Sequence, residues 1–495
     1  MTTEVGLSRV YPQGPDFAHV LGYVGPVSDY DLSKLEDPDP LLQIPRFQIG
    51  KLGVEAKLED ALRGKAGTRR IEVNSSGRIM RELGRKEGDA GANVQLTIDR
   101  RLQNYVQARL GVDSAAAVVI DTLTGDILAI SSAPSFDPNL FVRGISSADY
   151  RMLTENDHRP LADKSVQGAY PPGSTFKIVT ALAALEAGVV GLDETVWCPG
   201  FLKLGDRRFH CWKRAGHGHV HLTQSLEQSC DVYYYEIAQR VGIDKIAAMA
   251  RRLGVGEEFD LPMSAISGGL APDREWKKRT YGKDWLIGDT LNAGIGQGFV
   301  LASPLQLAVM SARVASGRNV MPRLIRAIGG EETPVGEPAD LGIDPAHLAA
   351  VRRGMFDVTN ARRGTAYGSR VVDDTMRIAG KTGTSQVRNI TAAERARGVI
   401  SNDDLPWNRR DHALFVCFGP TDAPRIAVSV VVEHGGGGSA VAAPIARDII
   451  LQAMAGGTPP LTAYPQSQRN RIESERNELQ LMELPPPDGT GQSRA

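Results

Sequence analysis

The sequence predicts an α/β protein of more than one domain, and three observations carry that prediction. At 495 residues the chain is too long for a single core. Short β-branched runs bounded by turn residues alternate with amphipathic stretches of helical period. The first ~90 residues differ from the rest, being glycine-rich with short apolar stretches and many arginines. Hydrophobic residues make up 42% and charged residues 23%, a globular composition. The formal net charge is -1, from 57 basic and 58 acidic residues, which argues against bulk electrostatic binding to nucleic acid. No run of ~18 apolar residues is present, so the chain as given does not span a membrane, and no leader is visible.

The elements follow in order. Residues 1–92 form a non-catalytic module without a nucleophile constellation. VQL and a helix over Arg100–Leu110 open the main domain, 93–457. AAAVVIDTLTGDILAISSAP reads as two strands joined at Thr124-Gly125. A helix then carries Ser174 and Lys177, runs to Ala187 and stops at Gly188. Pro171 and Pro172 stiffen its approach, and Gly173 admits a tight turn. HLTQSLEQS is helical, 377–387 is an edge strand beside a cleft, and 413–420 and 425–435 are strands. An amphipathic helix over 440–456 closes the domain. Prolines and charge with few apolar residues predict a disordered tail over 458–495.

Three motifs carry chemistry. Ser174 and Lys177 stand one helical turn apart on one face, where a neutral lysine can take the serine's proton. An ordinary lysine titrates near ~10.4, so burial and a neighbouring cation, Lys381, are expected to lower Lys177. Ser229 is positioned to bond Lys177 and relay the proton to the leaving amine, and Asp231 to hold the loop or the lysine. On the edge strand, Lys381 is expected to face the cleft and attract a substrate carboxylate, with Thr382 or Thr384 adding hydroxyls. Gly383 leaves room for the substrate backbone. The N–H groups of Ser174 and Thr384 would form an oxyanion hole. Together the motifs point to acyl transfer through a serine ester.

Cys198, Cys211 and Cys230 fall within 33 residues, with His210, His217, His219 and His221 among them. Cys198, Cys211, His217 and Cys230 match a closed tetrahedral Cys3His site for structural zinc, which the serine chemistry does not require. A Cys198–Cys211 disulfide or free core thiols are the other readings. Cys417 sits in a strand pattern as a buried small hydrophobe.

Read together, YPPGSTFK at Ser174, SCD at 229–231 and KTGTS at 381–385 resemble the penicillin-binding proteins. GIGQG (294–298), SPLQLA (303–308) and GTA (364–366) add to the likeness. IGKLGVEAKLEDALRGKAG, EVNSSGR, FDPNLFVRGIS and VEHGGGG resemble the monofunctional class B enzymes of rod-shape elongation. The resemblance implies a transpeptidase domain of β-lactamase-like fold, a central antiparallel sheet flanked by helices, behind an extended N-terminal pedestal. It implies a D,D-transpeptidase that crosslinks peptidoglycan stem peptides and is trapped by β-lactams at Ser174. It further implies a membrane anchor preceding this chain, a periplasmic site of action, and partners in the elongation complex. Among these is a membrane glycosyltransferase, because no glycan-polymerising module is present. One departure stands out: Asp231 replaces the asparagine widespread at that position, which removes an amide donor. A septal enzyme of the same chemistry, a β-lactamase or β-lactam sensor, and a non-catalytic scaffold are the alternatives.

Overall fold

The computed structural model describes residues 8–483 apart from 35, 37, 38, 45, 46, 389, 392, 393, 395 and 396. Its centre is a five-stranded antiparallel sheet built from β1 (Ala115–Asp121), β2 (Ile127–Ala133), β3 (Ala379–Ser385), β4 (His412–Gly419) and β5 (Ile426–Val432), in the order β3-β4-β5-β1-β2. The strands are apolar at successive positions because both faces are covered. Val118, Ile120, Leu414 and Val416 enter one core, whereas Ala117, Val119, Phe415 and Cys417 enter the other. Cys417 is thus the buried small hydrophobe expected.

Among the described residues, the helices around the sheet and the cleft include α1 (Arg100–Leu110), α2 (Lys177–Glu186), α3 (Leu222–Glu227), α4 (Asp231–Val241), α5 (Pro304–Ser316), α6 (Pro345–Asn360), α7 (Ala442–Ala455) and α8 (Arg469–Glu478). α2, α4 and α5 pack in the first core, α1 and α7 in the second, giving three layers. Local chemistry sets the helix ends. Asp99 caps α1 by accepting from the N–H groups of Arg101 and Leu102. The SPLQ run makes a full capping box: Ser303 Oγ accepts from Gln306 N, Gln306 Oε1 accepts from Ser303 N, and Pro304 stands at the first helical position. Gly317 ends α5 in the left-handed region at φ 75°.

The N-terminal segment is less separate than its composition implies. Val20 and Val54 join the first core, and the Gln103 amide donates to Asp16 O at 2.7 Å. The Thr68–Val73 and Ile79–Lys86 hairpin stands away, exposed along its length.

The expected disordered tail requires correction. Within residues 458–483, Tyr464 and the α8 residue Ile472 are buried in the second core together with side chains of α1 and α7. Two arginines, Arg447 and Arg476, sit 4.8 and 4.9 Å from the Tyr464 ring. Two well-spaced anchors hold a segment whose composition is otherwise polar. Residues 484–495 lie outside the described residues. No helix among the described residues is long and apolar enough to cross a membrane.

Candidate active site

A cleft of about 860 Å³ runs along β3, lined by Ser174, Ser229, Asp231, Thr382, Gly383 and Thr384 among others. Ser174 lies on a 3-10 turn, Gly173–Phe176, that leads directly into α2. The turn forms because Gly173 takes φ 54° and donates its N–H to Gly296 O at 2.8 Å. A Cβ there would sit 2.5 Å from Thr384 O, so glycine is what lets the nucleophile turn meet the strand edge.

Lys177 is fully buried one turn further on. Its ammonium donates to Ser229 O at 2.9 Å, Ser229 Oγ at 3.1 Å and Asp231 Oδ1 at 2.7 Å. The Tyr234 ring lies 5.4 Å from Nζ. Ser229 reaches this position through a left-handed backbone, φ 54°, between α3 and α4. Asp231, the first residue of α4, also accepts from Trp212 N at 2.9 Å, and Trp212 Nε1 donates to Gln228 O and Ser229 O. One carboxylate therefore ties the lysine to the loop that follows Cys211. Burial pushes the Asp231 carboxyl up, against the opposing pull of Lys177.

Lys381 departs from the sequence expectation. It is fully buried behind Ser229 instead of facing the cleft, and it donates to Ser229 Oγ at 2.9 Å and Thr382 O at 3.1 Å. Burial, then the neighbouring Lys177 charge, hold its ammonium well below the usual lysine range. Thr382 and Thr384 are the β3 residues whose hydroxyls line the cleft, and Thr382 Oγ1 shares a 2.8 Å hydrogen bond with Thr365 Oγ1. Gly383 lines the cleft and also makes a close approach behind it. A Cβ on it would lie 2.9 Å from both Pro172 O and Thr175 Cγ2, so its bareness seats β3 against the Ser174 turn. The structure thus gathers Ser174, Lys177, Ser229, Asp231 and Lys381–Thr384 at one place. Sequence reasoning missed Trp212 and Gln297, whose amide donates to Thr384 O at 3.1 Å. Adjacency to Cys211 and membership of GIGQG were the available signals.

Behind this cleft, Cys198, Cys211, His217 and Cys230 bring one ligand atom each within 4.8 Å of one another. His217 Nδ1 is 3.6 Å from Cys198 Sγ and 3.5 Å from Cys211 Sγ. Zinc bonds of ~2.3 Å to sulfur and ~2.0 Å to nitrogen give a tetrahedral sulfur–nitrogen edge of about 3.5 Å, so the donor set fits a metal of that size. All four cysteines are free thiols. Mutual hydrogen bonding lowers Cys198 and raises Cys230, the behaviour of sulfurs too close to ionise together without a cation.

This fold and site define a class, serine acyl-transferases that pair an SxxK nucleophile with a KTG edge strand. Residues 115–451 match the penicillin binding protein transpeptidase domain and residues 1–96 the penicillin-binding protein dimerisation domain. The chain belongs to the penicillin-binding protein transpeptidase family, as a class B member. It is 36% identical over 457 residues to peptidoglycan D,D-transpeptidase MrdA of Escherichia coli K12, spanning 90% of this chain and 71% of that protein. Identity to MrdA of Acinetobacter baumannii is 39% over 454 residues, spanning 89% of this chain and 66% of that one. The crystal structure of Pseudomonas aeruginosa PBP2 in complex with WCK 5153 superposes with a TM-score of 0.77 at 37% identity, covering 92% of this chain and 93% of that chain. PBP2 of Helicobacter pylori, in its complex with MreC, gives 0.79 at 31% identity, covering 91% and 79%.

Proposed function

We infer that this chain is a serine-type peptidoglycan D,D-transpeptidase. The observation that carries the reading is the convergence of two lysine ammonium groups on the single oxygen Ser229 Oγ, in the cleft that holds Ser174. In this reading Ser174 Oγ attacks the carbonyl between the two terminal D-alanines of one stem peptide. With Lys177 as the neutral amine at the moment of attack, the Ser174 proton passes to it and, by way of Ser229, to the departing amine, so D-alanine leaves and an ester remains on Ser174. An amine from a second stem then attacks the ester, forming the crosslink and returning the proton to Ser174. Backbone donors at Ser174 and Thr384 would carry the oxyanion, and Thr382 and Thr384 would hold the terminal carboxylate. Lys381, behind Ser229, supplies positive charge near that carboxylate without touching it.

The likeness to MrdA and to a PBP2–MreC complex supports a place in cell-wall elongation with protein partners. It also supports a periplasmic setting and a membrane anchor on the native protein.

Exposure to benzylpenicillin followed by intact-protein mass spectrometry tests the reading. One slowly released adduct at Ser174, absent in Ser174→Ala, is expected. Rapid turnover with no persisting adduct would make the protein a β-lactamase instead.

The Cys3His set is assigned to structural zinc, held by Cys198, Cys211, His217 and Cys230 with no open position for substrate. When bound it would neutralise the crowded thiolates. About one zinc per chain is expected in protein purified without added metal, and far less in Cys211→Ser; metal-free parent protein would remove the assignment.

A further inference from the structure

The charged groups lining the cleft do not all have partners. Asp231 is held by Lys177, and Arg388 donates two 2.7 Å hydrogen bonds to Glu394. Asp411 accepts from Val387 N and from the Asn402 amide. Arg207 and Arg208 remain, and among the described residues neither forms an ion pair. Each guanidinium instead lies over an aromatic ring, Arg207 4.9 Å from Phe209 and Arg208 4.7 Å from Phe201. Stacking orders the guanidinium plane and leaves its hydrogen-bonding edges open, the state suited to a bidentate carboxylate.

The hairpin that carries them, Phe201–Leu204 with Arg207–His210, is anchored at its base. Phe209 is buried against the Tyr235 ring at 5.7 Å, and Tyr235 Oη donates to His210 O at 3.2 Å. Cys211 follows immediately and belongs to the thiol cluster. The two cations are therefore held on a fixed support in a chain whose net charge is only -1. A cleft of about 860 Å³ also offers far more space than a terminal dipeptide fills.

We propose that Arg207 and Arg208 form a subsite for a second carboxylate of the acyl-donor peptide, one carried upstream of the scissile bond and distinct from the C-terminal carboxylate. The proposal rests on the transpeptidase reading and adds a specificity to it. Two acyl-donor thioester peptides, identical except that an upstream side chain ends in a carboxylate or a carboxamide, provide the test. The measured quantity is the ratio of their kcat/KM values for thioester cleavage. The parent protein is expected to favour the carboxylate by about tenfold, less at high salt. In Arg207→Gln/Arg208→Gln the ratio falls to near one, and Arg207→Lys alone gives an intermediate ratio. A penicillin adduct at Ser174 in each variant establishes that it is folded. Equal rates for the two peptides in the parent, or an unchanged ratio in the double variant, overturns the subsite. Absence of a penicillin adduct in the parent overturns the transpeptidase reading itself.

Discussion

Ser229 Oγ accepts from Lys177 at 3.1 Å and from Lys381 at 2.9 Å, and a hydroxyl so placed has its own proton left to offer toward the cleft. Removing it separates two effects. Ser229→Ala should slow penicillin acylation by roughly 10²- to 10⁴-fold, the range for losing a positioned proton carrier. It should also lower stability by ~1–3 kcal/mol, because two buried ammonium groups lose an acceptor. Stopped-flow acylation and thermal melting read the two effects separately; an acylation rate within threefold of the parent would remove Ser229 from the relay. At this scale the motifs were legible because chemistry was written into short spacing: three residues from Ser174 to Lys177, two from Ser229 to Asp231. The direction of Lys381 was not legible. Its partner Ser229 is 152 residues away, and strand alternation alone does not say which face of β3 is buried.

Among elements, β3 and the Ser174 turn depend on two glycines facing each other's backbones. Gly383→Ala would place a Cβ 2.9 Å from Pro172 O, a backbone atom that cannot swing aside. The expected result is a loss of ~1–3 kcal/mol, as for overpacking, together with slower acylation as β3 moves off the turn. Thermal melting and the rate of penicillin labelling check both; a parent-like rate would mean the contact relaxes without moving the cleft. The strands of the sheet and the main helices were visible in the sequence because burial on both faces leaves continuous apolar runs and amphipathic helices keep their period. The tail was not, since Tyr464 and Ile472 are isolated apolar residues in a charged segment and make no periodic pattern.

Across the whole molecule, one buried polar cluster joins parts of the chain that the sequence keeps far apart. Glu433 accepts from Ser114 Oγ at 2.5 Å, from Tyr170 Oη at 2.9 Å and from Arg159. Beside it, His412 Nδ1 accepts from His434 N at 2.9 Å, an acceptor that protonation would remove. Burial, with His434 and Arg159 nearby, lowers His412 to about 4 despite the opposing Glu433 charge. A base whose folded value lies below its unfolded ~6.5 stabilises the fold above that value, and the contribution is lost as pH falls toward 4. Burial would raise the Glu433 carboxyl, but the Ser114 hydroxyl, Arg159 and Tyr170 together hold it lower. Its contribution is present above ~4.3 and is lost below that. His412 alone acts between pH 7 and pH 4.5, with Glu433 adding to the loss only below that, so Tm should fall steadily over this window and His412→Gln should flatten the slope. Parallel slopes in parent and variant would place the acid sensitivity elsewhere.

A sheet that ends in a strand such as β3 leaves a row of unmatched amides and carbonyls, and in most proteins such a margin invites a neighbouring molecule to zip onto it. Here the margin is already attended: the Gln297 amide sits on Thr384 O, and the Gly173 turn closes over the same residue. The groups that shape the reaction pocket therefore also occupy the Thr384 carbonyl, a point on the edge where an added strand would otherwise bond.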